Sequence, residues 1–318
     1  MPQLKVLLPD SIKLNPALPD GATAVTYAAM EPVPEEHRDA DVLVVWGNRW
    51  RDLRQTAPSF TNLKLVQALM AGPDALLTMD FSPSVTMCNG VGLHDQTVSE
   101  HALAMLLTMV RRLPASAEAQ RDHRWANELG GNQELHPDGP VTTLLGARVL
   151  IWGFGSIGTT LAPMLRGLGA TVTGVARSAG ERKGFPVITD DTLADELGRT
   201  DALIMILPAG DDTADALNAE RLGQLKQGAY VVNVGRGNSV DEAALLEALQ
   251  SGQLGGAALD VFKKEPLPED SPLWDAPNVL ITPHGAGGRP VEADELIEHN
   301  VAALIEGGEL RNVFREGA

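Results

Sequence analysis

The segment Gly153-Phe154-Gly155-Ser156-Ile157-Gly158 constrains the fold of this 318-residue chain more than any other feature. It has the spacing G-x-G-x-x-G and lies between an apolar run, residues 149–152, and a segment with helical periodicity. Glycines at these positions permit a tight turn and let the backbone approach a pyrophosphate. With a second apolar run at 171–175, the segment predicts a strand, turn, helix and strand that bind a dinucleotide; the alternative is a glycine-rich turn of another α/β protein.

Short apolar runs separated by helical segments continue on both sides of this motif. In the region 145–283 the runs are 149–152, 171–175, 202–207, 230–234, 256–260 and 279–282. This alternation predicts a doubly wound parallel sheet. Three earlier runs, at 4–8, 41–46 and 63–68, predict a second α/β layer. The predicted fold class is therefore α/β, with two Rossmann-like domains and a cleft between them.

Two further helices are predicted outside the main alternation. Residues 98–112 form an apolar helix that is opened by Thr97 or Ser99, so it must be buried in a core or in a subunit contact. Residues 291–305 form a C-terminal helix, which is too little for a domain of its own. We expect this helix to return to the N-terminal region and to make that domain discontinuous.

Composition restricts the kinds of partner. The 25 Lys and Arg against 42 Asp and Glu give a net charge of −17, which repels nucleic acid and anionic membranes. No apolar run approaches the ~18 residues of a membrane span, and the N-terminus lacks a signal-peptide pattern. The single cysteine, Cys88, excludes an internal disulfide framework. We expect a soluble, cytoplasmic protein that binds neither nucleic acid nor membranes.

The end of the second strand of the predicted dinucleotide fold indicates which nicotinamide cofactor fits. An acidic residue there usually accepts hydrogen bonds from the adenosine ribose. This chain reads Val175-Ala176-Arg177-Ser178, without a carboxylate. Because Arg177 and Ser178 offer hydrogen bonds to a 2′-phosphate, we expect NADP(H) to be favoured over NAD(H). The alternative is that Arg177 stacks on the adenine or lies in solvent.

Three segments that follow predicted strands carry side chains suited to catalysis. They are residues 233–237, 259–268 and 282–287, and together they offer a guanidinium, a carboxylate and an imidazole. In a doubly wound fold, ligands bind at the carboxyl ends of the strands. Reduction of a 2-keto acid needs a cation for the substrate carboxylate, an acid for the ketone oxygen and a carboxylate that orients that acid. The three segments therefore predict a 2-keto acid reductase.

At the level of motifs, the sequence resembles the D-isomer-specific 2-hydroxyacid dehydrogenase family, and within it the NADPH-using glyoxylate/hydroxypyruvate reductases. The resemblance rests on the glycine motif, Val-Asn-x-x-Arg-Gly at 232–237, Asp-Val-Phe-x-x-Glu-Pro-Leu-Pro at 260–268, and Thr-Pro-His at 282–284. It implies a substrate domain at 1–98 plus 287–318, with an inserted dinucleotide-binding domain at 99–286. It also implies a homodimer that is formed through the helix at 98–112.

The resemblance assigns a role to individual residues. Arg236 would bind and polarise the substrate, His284 would be the acid and base, and Glu265 would pair with His284. Asp260 would lie near the nicotinamide carboxamide. The cofactor would be held by the following residues: Gly153, Gly155, Ser156, Ile157, Gly158, Arg177, Ser178, Leu207, Pro208, Thr213 and Val234. The substrate would meet the backbone at Ala71 and Gly72, and the Trp46 side chain. No histidine pattern with metal-ligand spacing occurs, so we expect no metal.

Two alternatives to this assignment stay open. The first is another dehydrogenase on the same scaffold, of the phosphoglycerate, formate or phosphonate type, although the bulky indole of Trp46 favours substrates of two or three carbons. The second is a nucleotide-sensing binding protein that does not catalyse. The presence of the arginine, the glutamate and the histidine argues against the second alternative.

Overall fold

The protein is described from a computed structural model, which covers residues 3–135 and 137–317. The chain forms two compact units. The first contains the described residues 3–94 and 289–317, and the second contains 95–135 and 137–288. The first unit is thus built from both ends of the chain. Within the described residues, none of the helices has the length and apolar character needed to cross a membrane.

The first unit is a six-stranded sheet. Its strands, numbered along the chain, are β1 Leu4–Pro9, β2 Ala22–Tyr27, β3 Val42–Val45, β4 Leu65–Ala68, β5 Thr86–Cys88 and β14 Val313–Arg315. Their order is β14-β5-β4-β3-β1-β2, and all neighbours are parallel except β14, which is antiparallel to β5. The helices of this unit are α1 Trp50–Thr56, α2 Asp74–Leu77 and α9 Ala293–Glu306.

The second unit is an eight-stranded sheet. Its strands are β6 Arg148–Trp152, β7 Thr171–Val175, β8 Gly180–Arg182, β9 Phe185–Ile188, β10 Ala202–Met205, β11 Ala229–Asn233, β12 Leu254–Leu259 and β13 Val279–Ile281. Their order is β13-β12-β11-β10-β6-β7-β9-β8, with only β8 antiparallel to its neighbour. The helices are α3 Asp95–Val110, α4 Leu113–Arg121, α5 Ser156–Gly167, α6 Leu193–Leu197, α7 Ala219–Gln224 and α8 Glu242–Gln250.

The apolar strands have a buried core on each face of the second sheet. Successive strand residues point to opposite faces, so Val149 and Ile151 join one apolar cluster while Leu150 and Trp152 join the other. Helices α3 and α5 cover the first face, and α7 and α8 contribute to the second. The first unit likewise has a core on each face of its sheet. The prediction of two parallel α/β layers is confirmed.

Several elements differ from the sequence-based prediction. Helix α3 begins at Asp95, so neither Thr97 nor Ser99 caps it, and Ser99 is fully buried. Strand β2 was not predicted, because most of its side chains are half-buried or exposed and it lies at the edge of its sheet. The hairpin of β8 and β9 was also missed. Its two-residue turn, Lys183-Gly184, has positive φ at both positions, as a type I′ turn requires.

Candidate active site

The glycine loop, residues 153–158, takes its shape from positions where a side chain would not fit. Gly153 has φ +104°, a conformation that favours glycine. A Cβ on Gly153 would lie 2.4 Å from the carbonyl oxygen of Ile206. The N–H groups of Gly153 and Phe154 both donate to Val175 O, at 3.1 and 3.0 Å. This side of the loop is therefore packed closely against the neighbouring strands.

The other side of the glycine loop is open. Gly155 directly precedes α5, and a Cβ on it would meet no atom within 4 Å. A Cβ on Gly158 would lie 2.9 Å from Gly153 O, so glycine there lets the first turn of α5 approach the loop. The first N–H groups of a helix have no partner within the helix and attract anions. The open side, next to Gly155 and Ser156, is thus suited to a pyrophosphate.

Helix α3 is hydrogen-bonded to the glycine loop at the start of α5. The Ser156 hydroxyl donates a hydrogen bond to the carboxylate of Asp95. The Ser99 hydroxyl donates to Ile157 O at 3.3 Å. Both bonds join the start of α5 to α3, and the bonded residues are 61 and 58 positions apart in sequence. The side chain and backbone at Ser156 and Ile157 therefore have a structural role next to the predicted phosphate site.

Two arginines lie close to the end of β7. Arg177 is 90% exposed at its side chain, and its Nη2 lies 3.6 Å from Asp212 Oδ2. Arg182, which sequence reasoning missed, donates from Nη2 to Ser178 Oγ at 2.9 Å and from Nη1 to Phe154 O at 2.9 Å. It thereby links the glycine loop to the segment of Arg177 and Ser178. The sequence signal that could have predicted this position is Lys183-Gly184, the type I′ turn, because it indicates a hairpin that begins with the segment of Arg182.

The residues predicted to line the cofactor groove follow β10 and β11. Thr213 Oγ1 donates to Pro208 O at 2.8 Å and closes the turn between them. Leu207 and Val234 are both buried. A Cβ on Gly235 would lie 2.7 Å from Leu207 N, so these two connections pack directly against each other. The structure thus brings all four predicted residues to the ends of neighbouring strands.

Arg236 follows β11, and its backbone carbonyl oxygen is fixed by side-chain hydrogen bonds from residues before and after it. Asn233 Nδ2 and Ser239 Oγ donate to Arg236 O, at 3.2 and 2.7 Å, and Arg236 Nη1 donates to Gly235 O at 2.9 Å. A Cβ on Gly237 would lie 1.9 Å from the carbonyl carbon of Phe262. This position must be glycine because the connection after β11 is packed against the one after β12, which carries Glu265.

Glu265 and His284 form the central contact of the site. His284 Nδ1 lies 2.7 Å from Glu265 Oε2, while Glu265 Oε1 accepts a hydrogen bond from Phe262 N at 2.9 Å. Since a carboxylate is an acceptor, His284 Nδ1 carries a proton and Nε2 is left to exchange one with a ligand. The His284 side chain is 48% exposed, so solutes can reach it. This is the geometry of an oriented proton donor and acceptor.

His284 lies in the histidine loop, residues 282–286, and its own backbone conformation is unusual. Its φ of +51° is left-handed, which costs on the order of 1–3 kcal/mol in a residue other than glycine. Buried Asp260 holds this conformation: its Oδ1 accepts from Gly285 N at 2.8 Å and its Oδ2 from Ala286 N at 3.1 Å. His284 N donates to Asp260 O at 2.9 Å. Asp260 thus organises the loop that presents the imidazole.

The other three residues predicted to meet the substrate lie in the first unit. Trp46 directly follows β3, is half-buried, and stacks on His94 with ring centroids 5.4 Å apart. Ala71 and Gly72 follow β4 and are also half-buried. All three are at the carboxyl ends of neighbouring strands, where an α/β sheet binds ligands. Among residues 3–135 and 137–317, no group of three metal-binding side chains lies close enough together to hold a metal ion.

Comparison with known proteins identifies the family of the chain. The family described as D-isomer specific 2-hydroxyacid dehydrogenase, NAD binding domain, matches residues 103–286. A glyoxylate/hydroxypyruvate reductase A of Salmonella paratyphi B is 37% identical over 258 residues, which are 77% of this chain and 78% of the relative.

Two crystal structures of relatives share the fold over almost the whole chain. The first is a D-isomer specific 2-hydroxyacid dehydrogenase from Xanthobacter autotrophicus in complex with NADPH and MES, with TM-score 0.81, 31% identity and 98% of each chain covered. The second is an NADPH-dependent glyoxylate/hydroxypyruvate reductase from Sinorhizobium meliloti in complex with NADP and sulfate, with TM-score 0.79, 31% identity and 98% of each chain covered. The chain therefore belongs to the D-isomer specific 2-hydroxyacid dehydrogenase family and is an NAD(P)-dependent oxidoreductase of that family.

Proposed function

We propose that this enzyme reduces small 2-keto acids of the glyoxylate and hydroxypyruvate type to 2-hydroxy acids, with NADPH as the reductant. The observation that carries the proposal is the 2.7 Å contact between His284 Nδ1 and Glu265 Oε2. Glu265 follows β12 and His284 follows β13, and both strands belong to the sheet whose strand β6 precedes the glycine loop. Relatives named glyoxylate/hydroxypyruvate reductases support the substrate class.

Each catalytic group has a defined task in this reaction. When bound, the reduced nicotinamide supplies the hydride that adds to the keto carbon. Arg236 binds the substrate carboxylate through its planar guanidinium and polarises the ketone. His284 donates the Nε2 proton to the carbonyl oxygen, so that hydride plus proton convert the ketone into a hydroxyl group. Glu265 holds the ring through Nδ1 and so orients Nε2 for the transfer.

The preference for NADPH is supported by the groups around the end of β7. Arg177 and Ser178 are exposed and Ala176 replaces the acid that binds an unphosphorylated ribose. Arg182 adds a second guanidinium next to Ser178. The Asp212 contact of Arg177 is between exposed groups and so contributes little free energy, at most about 1 kcal/mol. A 2′-phosphate therefore displaces it easily.

The first unit is proposed as the substrate domain, with Trp46 limiting the substrate to two or three carbons. The backbone at Ala71 and Gly72 would bind its carboxylate. We further propose a homodimer in the cytoplasm. Large apolar side chains after α3 support the dimer, because Leu113, Trp125 and Leu135 are 51%, 88% and 52% exposed in the single chain.

The test is a set of steady-state measurements with four acids and two cofactors. Glyoxylate, hydroxypyruvate, pyruvate and phosphohydroxypyruvate are compared under NADPH and NADH, for wild type, His284→Asn and Arg177→Asp. We expect the highest kcat/KM with glyoxylate or hydroxypyruvate and NADPH. His284→Asn should lower kcat about 10²- to 10⁴-fold. Arg177→Asp should shift the cofactor ratio toward NADH.

Other outcomes would identify the alternatives. A clear advantage of phosphohydroxypyruvate would indicate the phosphoglycerate type of dehydrogenase. Tight NADPH binding without turnover of any acid would indicate a nucleotide-sensing protein. An unchanged cofactor ratio in Arg177→Asp would overturn the NADPH argument while leaving the reaction class intact.

A further inference from the structure

A histidine on α3 contacts Thr282, in the histidine loop, and the buried carboxylate of Asp260. His101 Nε2 lies 3.1 Å from Thr282 Oγ1 and 3.4 Å from Asp260 Oδ1. The Thr282 hydroxyl lies 2.6 Å from Asp260 Oδ1, which is a charged acceptor and receives its proton. Thr282 Oγ1 therefore has only lone pairs left for His101. It follows that His101 Nε2 carries a proton and is the donor in this contact.

The contact matters because of what Asp260 does. This carboxylate is fully buried, and its oxygens accept the N–H groups of Gly285 and Ala286, the two residues that follow His284. A buried carboxylate keeps its position only when its lone pairs are met by donors. Thr282 supplies a side-chain donor to Oδ1, the oxygen that also accepts from Gly285 N, and His101 Nε2 lies 3.4 Å from the same oxygen.

Helix α3 is a rigid support for this donor. Its residues Ala102 and Met105 are buried in the same apolar cluster as Ala258, on β12, and Ala286, in the histidine loop. The imidazole of His101 is 27% exposed while Asp260 is sealed from solvent. His101 therefore contacts the histidine loop, through Thr282, from a helix that is fixed by its buried residues.

We propose that His101 is a positioning residue for catalysis. By donating to Thr282 and Asp260, it holds the histidine loop in the left-handed conformation that aims His284 at Glu265. The inference rests on the proposed role of His284 in proton transfer. It also separates two functions of α3: Ser99 supports the glycine loop through Ile157 O, whereas His101 supports the histidine loop. Loss of His101 should therefore impair chemistry and spare cofactor binding.

The test compares two substitutions of similar size that differ in hydrogen bonding. His101→Gln keeps an Nε2 donor at similar reach, and His101→Leu removes it. For both we measure kcat and KM with glyoxylate, the Kd of NADPH by fluorescence titration, and the thermal midpoint. We expect His101→Leu to lower kcat on the order of 10- to 100-fold with the NADPH Kd changed less than about twofold, since small misplacement of a reacting group has this effect. His101→Gln should recover most of the loss.

Two further variants make the result unambiguous. Thr282→Val removes the hydroxyl between His101 and Asp260, so it should lower kcat similarly, and the double variant with His101→Leu should lose little more. The matched control is His299→Leu on α9, where a half-buried helical histidine bonds Glu309 O at 3.2 Å; its kcat should be that of wild type.

The outcomes distinguish this inference from the proposed function. A wild-type kcat in His101→Leu, or in Thr282→Val, would overturn the positioning role while an inactive His284→Asn still supported the chemistry. Equal losses of kcat and NADPH affinity without rescue by glutamine would show a general structural role instead. Full activity in His284→Asn would overturn the proposed function itself.

Discussion

The glycine loop and the histidine loop belong to the same unit, each follows a strand of one sheet, and each departs from ordinary backbone conformation. Gly153 has φ +104° and His284 has φ +51°. The first conformation exists because side chains are missing: a Cβ on Gly153 would lie 2.4 Å from Ile206 O. The second exists in spite of a side chain, because Asp260 accepts hydrogen bonds from the backbone N–H groups of His284 and of the two residues that follow it.

This difference shows two ways in which a chain holds a functional backbone. Steric exclusion is a property of residue types, so it leaves a visible pattern of glycines in the sequence. A hydrogen-bonded network depends on residues that are distant in sequence, here Asp260, Thr282 and His101. We therefore expect the two loops to fail in different ways when single residues are changed.

The largest effect is expected from Gly153→Ala. The added methyl would both strain a left-handed backbone and overlap the backbone at Ile206, so the free energy of unfolding should fall by about 4 kcal/mol. Urea unfolding followed by circular dichroism measures this. A loss below about 1 kcal/mol would show that the loop tolerates a side chain and that its shape is not set sterically.

A smaller loss of stability is expected from Asp260→Asn. An amide would present an N–H₂ group to one of the backbone donors at Gly285 and Ala286, leaving it unsatisfied in the core. The free energy of unfolding should fall by about 2 kcal/mol, and kcat should fall because His284 is no longer held. The same urea titration, with steady-state kinetics, measures both. Unchanged kcat would mean that Asp260 does not organise the histidine loop.

Gly155→Ala should affect ligand binding and not stability. Gly155 has φ −91° and a Cβ there would meet no protein atom within 4 Å, so the unfolding free energy should stay within about 0.5 kcal/mol of wild type. The methyl would occupy the space that a pyrophosphate approaches, and we expect the Kd of NADPH to rise about tenfold. Fluorescence titration tests this, and unchanged affinity would move the phosphate site elsewhere.

The smallest effect is expected from Arg182→Met, which keeps an unbranched apolar chain but lacks the guanidinium donors. Loss of the bonds to Phe154 O and Ser178 Oγ should raise the Kd of NADPH about threefold to tenfold and leave that of NADH nearly unchanged. A matched control is Arg199→Met, whose guanidinium bonds Asp195 O at the end of α6. Equal changes for both cofactors would show that Arg182 acts only through the glycine loop.

Much of the second unit could be predicted from sequence, and less of the first. All six apolar runs predicted between residues 145 and 283 are strands, because buried parallel strands need uninterrupted apolar residues. Strand β2 lacks that signal, since Thr23, Ala24 and Thr26 are exposed. Strand β8 is short and polar, so the sequence gives no apolar signal for it, and Arg182 was not predicted although it bonds both Phe154 O and Ser178 Oγ.

By itself, the sequence determined which residue types stand after which strands: the glycine loop after β6, Arg236 after β11, Glu265 after β12 and His284 after β13. Parallel strands end at one edge of a sheet, so such residues approach one another whatever the details of packing. Only the tertiary structure decided that the backbone of His284 is left-handed, that Asp260 accepts hydrogen bonds from the histidine loop and that His101, on α3, contacts Asp260. Those features depend on hydrogen bonds between distant segments, and no local pattern of residues records the distance between their atoms.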